Sequence, residues 1–273
     1  MRKTFCLILV LVCGVSNAEQ LVVEGLHGLG TVETHKITSE ATGSNYHIIV
    51  GLPDGYDASD NVEYPTLYVL DGGVLFPIFS AYRRLMAIND EVPPMIIVAI
   101  SYGTSSFAEG NMRSADFTGP SEARDYYGGA PIFQTFLEDE LFPKIEGKYR
   151  SQSDRRMVFG RSIGGQFVLY TAQTRPDLFW GHIASNPAIH HNRDLFLNLR
   201  PDDTDNAASK LFVSSGSLDE PRFREPAVAW MEHWSAQSDL PWQLHTVTFE
   251  GHTHLSTPAI AFRQGIGWLF AGE

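Results

Sequence analysis

Cysteine is almost missing from this chain: Cys6 and Cys13 are the two in 273 residues. A disulfide scaffold and a cysteine-ligated zinc site are thereby excluded. Positive charge is scarce too. Twenty Lys and Arg stand against 32 Asp and Glu, a formal net charge of −12. That balance argues against nucleic acid or an anionic membrane surface as the partner. Beyond the N-terminus no apolar run is long enough to cross a bilayer. Internal repeats and low-complexity tracts are lacking as well. What remains is a globular composition, 43% hydrophobic and 19% charged. The length suits one large domain or two small ones.

The one apolar run, Phe5 to Val15, follows Arg2 and Lys3 and precedes Ser16-Asn17-Ala18. Basic start, apolar middle and small-x-small end are the order of an export signal. Cleavage is expected after Ala18, with an uncleaved anchor as the alternative. A lipoprotein reading would use Cys13, but Val12 is a poor residue before a lipidated cysteine. Cleavage takes both cysteines and two positive charges, leaving 18 basic against 32 acidic residues, or −14. The mature chain, residues 19–273, is expected in the periplasm or outside the cell, without a thiol nucleophile.

The rest alternates between two periodicities. Tyr46–Val50, Pro65–Leu70, Met95–Ile100, Arg156–Phe159, His182–Ser185, Leu211–Ser214 and Gln243–Phe249 read as strands. Several are continuous apolar runs, which suit strands buried on both faces of a parallel sheet. Ile132, Phe133, Phe136, Leu137, Leu141 and Ile145 fall at helical spacing behind Pro131. Ile163–Thr174, Glu225–Ser238 and Ala259–Phe270 also read as helices. This alternation predicts an α/β fold, a mostly parallel sheet with helices on both faces. No linker divides residues 19–273, so a single domain is expected. His190 to Ser209 reads as an irregular cap over the sheet edge.

Gly160-Arg161-Ser162-Ile163-Gly164 is G-x-S-x-G. The pattern alone is short enough to arise by chance, but here it joins an apolar strand to a helix. A nucleophile elbow occupies that place. Its tight turn needs small residues, lifts the serine hydroxyl clear of the sheet, and leaves the Ile163 N–H at a helix start.

A serine needs a base, and in this arrangement the acid precedes the histidine in the chain. His182, His233 and His245 lie within strands or a helix and read as packing or surface residues. His190 and His191 fall in the cap segment, near the substrate but ahead of the acid. His252 and His254 lie in the loop after the last strand, where either can reach the elbow. The acid belongs in the loop after Leu211–Ser214, where Asp219 and Glu220 both fit. A carboxylate there would fix the imidazole tautomer and stabilise the imidazolium. Asp202, Asp203 and Asp205 precede the strand and read as a solvated loop. The second oxyanion donor is expected from Leu70-Asp71-Gly72-Gly73, with the Gly73 N–H as candidate.

The chain now resembles the putative-esterase (esterase D-like) family of three-layer α/β-hydrolases over nearly all of its mature length. The resemblance rests on Leu52-Pro53-Asp54-Gly55-Tyr56, Tyr64–Gly72 and Arg113-Ser114-Ala115-Asp116-Phe117-Thr118. It continues through Gly128-Gly129-Ala130, Glu140-Leu141, Tyr149-Arg150 and the elbow Gly160–Gly165. It implies Asp219 as the acid, three residues after a glycine. It implies His254 as the base, since His254-Leu255-Ser256-Thr257-Pro258 carries the trailing serine and proline. The family hydrolyses carboxylic esters without metal or cofactor, and the exported branch resembled here contains siderophore (trilactone) esterases. Feruloyl or acetyl sugar esters, and acyl transfer to an alcohol, belong to the same family. A serine peptidase is a further alternative. A small-molecule ester is thus the implied partner, with Arg113 and Arg161 at the cleft and His190 close by. The other reading of Arg113 is a loop-shaping pair with Asp116. One segment departs from the family. Asn186-Pro187-Ala188-Ile189-His190-His191 replaces the usual Ser-Pro followed by tryptophan.

Overall fold

A computed structural model describes residues 19–20, 26–57, 61–201 and 209–272. The expected export signal, residues 1–18, lies outside the described residues, as do Asp202, Asp203 and Asp205. The chain opens with β1 (Glu19–Gln20), β2 (Val32–Thr38), β3 (Asn45–Gly51) and β4 (Tyr64–Val69). After α1 (Gly72–Ile88) come β5 (Ile96–Ser101) and the one-turn α2 (Arg113–Asp116). Next α3 (Ala130–Thr135) runs through a π-helical stretch, Phe136–Leu141, into α4 (Phe142–Lys148). Then follow β6 (Ser151–Arg161), α5 (Ile163–Thr174), β7 (Gly181–Ser185) and α6 (Arg193–Asn198). The chain closes with β8 (Lys210–Gly216), α7 (Pro221–Ser235), β9 (Gln243–Phe249) and α8 (Thr257–Leu269).

The strands form one sheet in the order β1-β2-β3-β5-β4-β6-β7-β8-β9. β1 to β3 and the β3–β5 pair are antiparallel, and every pair from β5 to β9 is parallel. Side chains alternate between two cores, as the strand period requires. Leu67 and Val69 of β4 pack with Phe79 of α1 and Phe262 of α8. Tyr68 and Leu70 pack with Phe142, Phe167 and Trp230 on the opposite face. The expected three-layer α/β arrangement is therefore present, α1 and α8 forming one outer layer.

β4 lies between β5 and β6. The chain thus moves to one side of β4 and then crosses to the other. Such a reversal opens a crevice at the carboxyl ends of the two strands. Asp71-Gly72-Gly73 leaves β4 there, and Arg161-Ser162 leaves β6 there.

β1, β2, α1, α2 and α6 were not anticipated. α1 was expected only as the loop at its start. Leu75, Phe76, Phe79, Arg83 and Met86 all bury one face of it. β2 buries Val32, His35 and Ile37, Val32 in one core and Ile37 in the other, without a regular alternation for the sequence to show. The His190–Ser209 segment is more ordered than expected. It carries α6, whose Phe196 is buried and whose carbonyl accepts from Gln173 Nε2 (2.8 Å) and Trp234 Nε1 (3.2 Å). α7 begins at Pro221, four residues before its expected start.

Candidate active site

Ser162 has φ 55 and ψ −121, a strained backbone for a residue with a side chain. The surroundings over-determine it. Its N–H donates to the Ser185 carbonyl (3.0 Å), and its own carbonyl accepts from Gln166 N (2.9 Å) and Ala188 N (3.0 Å). Gly160 has no room for a side chain, since a Cβ there would sit 2.2 Å from the Gly164 carbonyl oxygen. A Cβ on Gly165 would lie 3.0 Å from the Ser185 carbonyl. Gly164 is less constrained, its nearest neighbour being Leu70 Cβ at 3.4 Å.

His254 Nδ1 lies 2.8 Å from Asp219 Oδ2. An ionised carboxylate only accepts, so Nδ1 carries the proton and Nε2 keeps its lone pair for a substrate or serine proton. Asp219 is tied further: Oδ1 accepts Glu220 N at 2.7 Å, and Oδ2 accepts Asn186 Nδ2 at 2.7 Å. The two alternatives lie elsewhere. Glu220 pairs with Arg222 at 2.9 Å on the surface. His252 Nδ1 is 3.3 Å from both the carbonyl and the hydroxyl of Ser256. The structure thus brings together Asp219 and His254, and leaves Glu220 and His252 apart from them.

Gly73 and Ile163 occupy the first turns of α1 and α5. Backbone N–H groups there have no partner within the helix and suit an anion. The glycines before α1 also meet a packing demand. A Cβ on Gly72 would lie 2.6 Å from Ala99 Cβ, and one on Gly73 2.9 Å from Ser101 Oγ. Asp71, just ahead of them, is left-handed at φ 57.

Arg113 does not pair with Asp116. Its Nε and Nη2 reach Asp71 Oδ1 and Oδ2 at 2.7 and 2.8 Å, a bidentate clamp on the residue before Gly72. Burial alone would lower the Arg113 guanidinium, but the bonds to Asp71 outweigh it and hold it above its ordinary range. Asp116 turns inward, where its Oδ2 accepts the hydroxyls of Tyr46 (2.7 Å) and Tyr102 (2.9 Å). Burial raises its carboxyl, with the two hydroxyls pulling partly back.

Arg161 lines a cavity of about 680 Å³ that also touches His35, Lys36, His47, Gly73 and Arg113. Its Nε is buried without a hydrogen-bond partner. His190 connects to His254 through one aromatic ring. Its ring lies 4.0 Å from that of His191 and 5.1 Å from Phe223, which in turn is 4.8 Å from His254. Burial, His191 and Arg222 all lower the His190 imidazole, favouring its neutral form. Among the described residues no group of three or more His, Cys, Asp or Glu side chains is placed to hold a metal ion.

Sequence reasoning missed Asn186, Asp71 and Phe223. Asn186 was visible only as a departure from the family's Ser-Pro. Its left-handed backbone, φ 46, and its reach across to Asp219 have no local signature.

Comparison with known proteins gives a consistent picture. The Putative esterase family profile matches residues 39–263. Ferri-bacillibactin esterase BesA of Bacillus subtilis (strain 168) is 29% identical over 248 residues, 82% of this chain and 84% of the relative. Siderophore triacetylfusarinine C esterase of Aspergillus fumigatus is 28% identical over 242 residues, 76% of this chain and 81% of the relative. In structure, the BES protein from Bacillus cereus superposes with a TM-score of 0.75 at 25% identity, covering 92% of this chain and 97% of that one. With the family profile spanning most of its length and the α/β-hydrolase sheet beneath it, this chain belongs to the Putative esterase family and is a carboxylic ester hydrolase.

Proposed function

We propose that this chain is an exported serine esterase of siderophore-type esters, with Ser162, His254 and Asp219 as its triad. The observation that carries the reading is the 2.8 Å contact of His254 Nδ1 with Asp219, together with the positive φ of Ser162 at a strand-to-helix turn. His254 Nε2 takes the Ser162 proton as Oγ attacks the ester carbonyl. The oxyanion is held by the N–H groups of Gly73 and Ile163, each worth about 2.7–4 kcal/mol in comparable sites. His254 then protonates the leaving alcohol. Water, losing its proton to the same nitrogen, attacks the acyl-enzyme and frees the acid. Arg161, next to Ser162 in the chain, and His190, which shares the Phe223 ring with His254, contact the bound ester, while Arg113 acts from behind Asp71.

The siderophore assignment leans on what the two curated relatives are named for. Export leans on the N-terminal signal, with residues 19–273 as one enzyme domain. No helix among the described residues is long and apolar enough to cross a membrane. Mass spectrometry of the exported protein is expected to show an N-terminus at Glu19.

The test of the triad is Ser162→Ala against a short p-nitrophenyl ester, with His254→Ala and His252→Ala beside it. Hydrolysis is expected to vanish in the first two and persist in the third. Undiminished turnover by Ser162→Ala sinks the assignment. A panel of catecholate trilactone, feruloyl sugar, acetyl sugar and medium-chain esters then sets the substrate. A trilactone slower than the sugar esters would move the enzyme to the carbohydrate branch.

A further inference from the structure

Asp219 is a desolvated carboxylate, its side chain 1% exposed. A charge in that state needs hydrogen-bond donors to remain ionised. Three are present, each from a different stretch of chain. Glu220 N comes from its own loop, His254 Nδ1 from the loop after β9, and Asn186 Nδ2 from the end of β7. Asn186 and His254 share the same oxygen, Oδ2. The amide orientation follows from the chemistry: facing an acceptor-only carboxylate, Asn186 must present its nitrogen. Its oxygen then meets the Ser185 hydroxyl at 3.3 Å.

The backbone around Asn186 is fixed as firmly. Asn186 is 2% exposed and sits at φ 46, a conformation that asparagine tolerates better than most residues. Its N–H donates to the Ser214 carbonyl at 2.8 Å. On either side, the Ser185 carbonyl and the Ala188 N–H grip the backbone of Ser162. One short stretch thus holds both the nucleophile's turn and the acid's carboxylate.

Resting on the triad reading above, we infer that Asn186 is a positioning residue for catalysis. It aims Asp219 Oδ2 at His254 and withdraws part of the charge that the imidazolium meets. Without its amide the carboxylate faces the imidazolium with more charge and less fixed direction. Other titratable and charged groups border the pair among the described residues. Glu220 and Arg222 lie on the α7 side, Arg222 over the Phe223 ring. His190 touches the same ring from the segment after β7, and His252 shares the loop of His254.

The test is Asn186→Gly in the full chain, because glycine keeps the left-handed backbone while deleting the amide. Turnover of a short p-nitrophenyl ester is measured across pH, normalised to Ser162 sites titrated with a fluorophosphonate. The expected kcat is about tenfold lower, the low end for losing a hydrogen bond to a charged group. The acid limb of the kcat/KM profile is expected to move to higher pH, because the more charged carboxylate favours the imidazolium. A merely structural Asn186 predicts a fall that is equal at every pH, and that result, or an unchanged rate, overturns the proposal. Asn186→Asp, isosteric and tolerant of the same backbone, gives a second reading if the glycine variant fails to fold. Two facing carboxyls share a proton and add an ionisation to the profile. A profile superimposable on wild type overturns the proposal again. Activity surviving in Ser162→Ala would instead refute the triad itself, so the two failures are distinct.

Discussion

Replacing Arg113 with methionine keeps most of the side-chain stem and removes both hydrogen bonds to Asp71. The pair is largely withdrawn from water, with side chains 26% and 9% exposed. Breaking a fully buried pair costs about 3–5 kcal/mol, and a quarter-exposed partner reduces that to about 2 kcal/mol. The effect on rate is the larger one. Asp71 is left-handed, its carbonyl accepts Val74 N at 3.1 Å, and Gly73 lies between them in the chain. Freed from Arg113, an unpaired carboxylate stands two residues from the N–H that would meet the oxyanion. Losing one such donor costs about 10²–10³ in kcat. The assay is steady-state kinetics on two short esters, one neutral and one with an acidic acyl chain. For Arg113→Met, kcat is expected to fall about a hundredfold on both, with little change in KM. Arg113→Met/Asp71→Asn is expected to lose no more than Arg113→Met alone, since the pair acts as a unit. A neutral ester turned over within about threefold of the wild-type rate, with KM raised only for the acidic one, would refute the clamp. Arg113 would then be a substrate contact.

Two more predictions concern the framework. His182, fully buried in β7, is lowered to about 4 by burial, against smaller opposing pulls from the Lys210 backbone and Asp177. The unfolded chain therefore binds this proton first, and stability drains away as pH falls from about 6.5 to about 4, by about 3 kcal/mol. In His182→Leu, urea melts at pH 7 and pH 4 are expected to differ by about that much less than in wild type; equal differences refute it. Gly160→Ala drives a Cβ to 2.2 Å from a backbone oxygen and is expected to cost at least about 3 kcal/mol. Gly164→Ala, with ordinary contacts, is expected to melt close to wild type, and equal losses at the two glycines would contradict the packing account.

Much of the fold was legible because parallel strands declare themselves. β4, β5, β7 and β8 carry short apolar runs, β9 a polar–apolar mixture ending at Phe249, and each was placed to within two residues at its ends. β6 was read only over its inner part. Its first residues, from Gln152 to Arg156, are exposed or half-buried and lack the apolar signal. α1 escaped for the opposite reason. Val74, Ile78, Leu85 and Ile88 are exposed on its outer face, so apolar residues surround much of the helix and blur its period. Its double glycine and Pro77 also read as a loop.

The site divides along the same line between local and long-range information. The elbow is local: a strand, three small residues and a helix start lie within a few positions of Ser162. The histidine and acid were narrowed to two candidates each by their order behind it. Geometry pairs one of each, Asp219 Oδ2 with His254, while Glu220 turns outward to Arg222. Arg113 shows where local reasoning misleads. Asp116, three residues away, is the obvious partner on a one-turn helix. Yet it serves two buried tyrosine hydroxyls, and Arg113 reaches Asp71, 42 positions earlier. The reason lies in the sheet order. β4 lies between β5 and β6, so Asp71 at its end stands near α2, which follows β5, and beside the Ser162 turn at the end of β6, although α1, β5 and five helical segments separate β4 from β6 in sequence. The residues that fix the loop after β4 and the Ser162 turn therefore come from segments that share no sequence neighbourhood. Asn186 obeys the same logic, since its role exists only because β7 ends beside β8 and its amide meets the loop that follows. Residues that do the chemistry carry local motifs, because the chemistry demands a residue type. Residues that position them are chosen by which strand ends beside which, and become readable once the strand order is known.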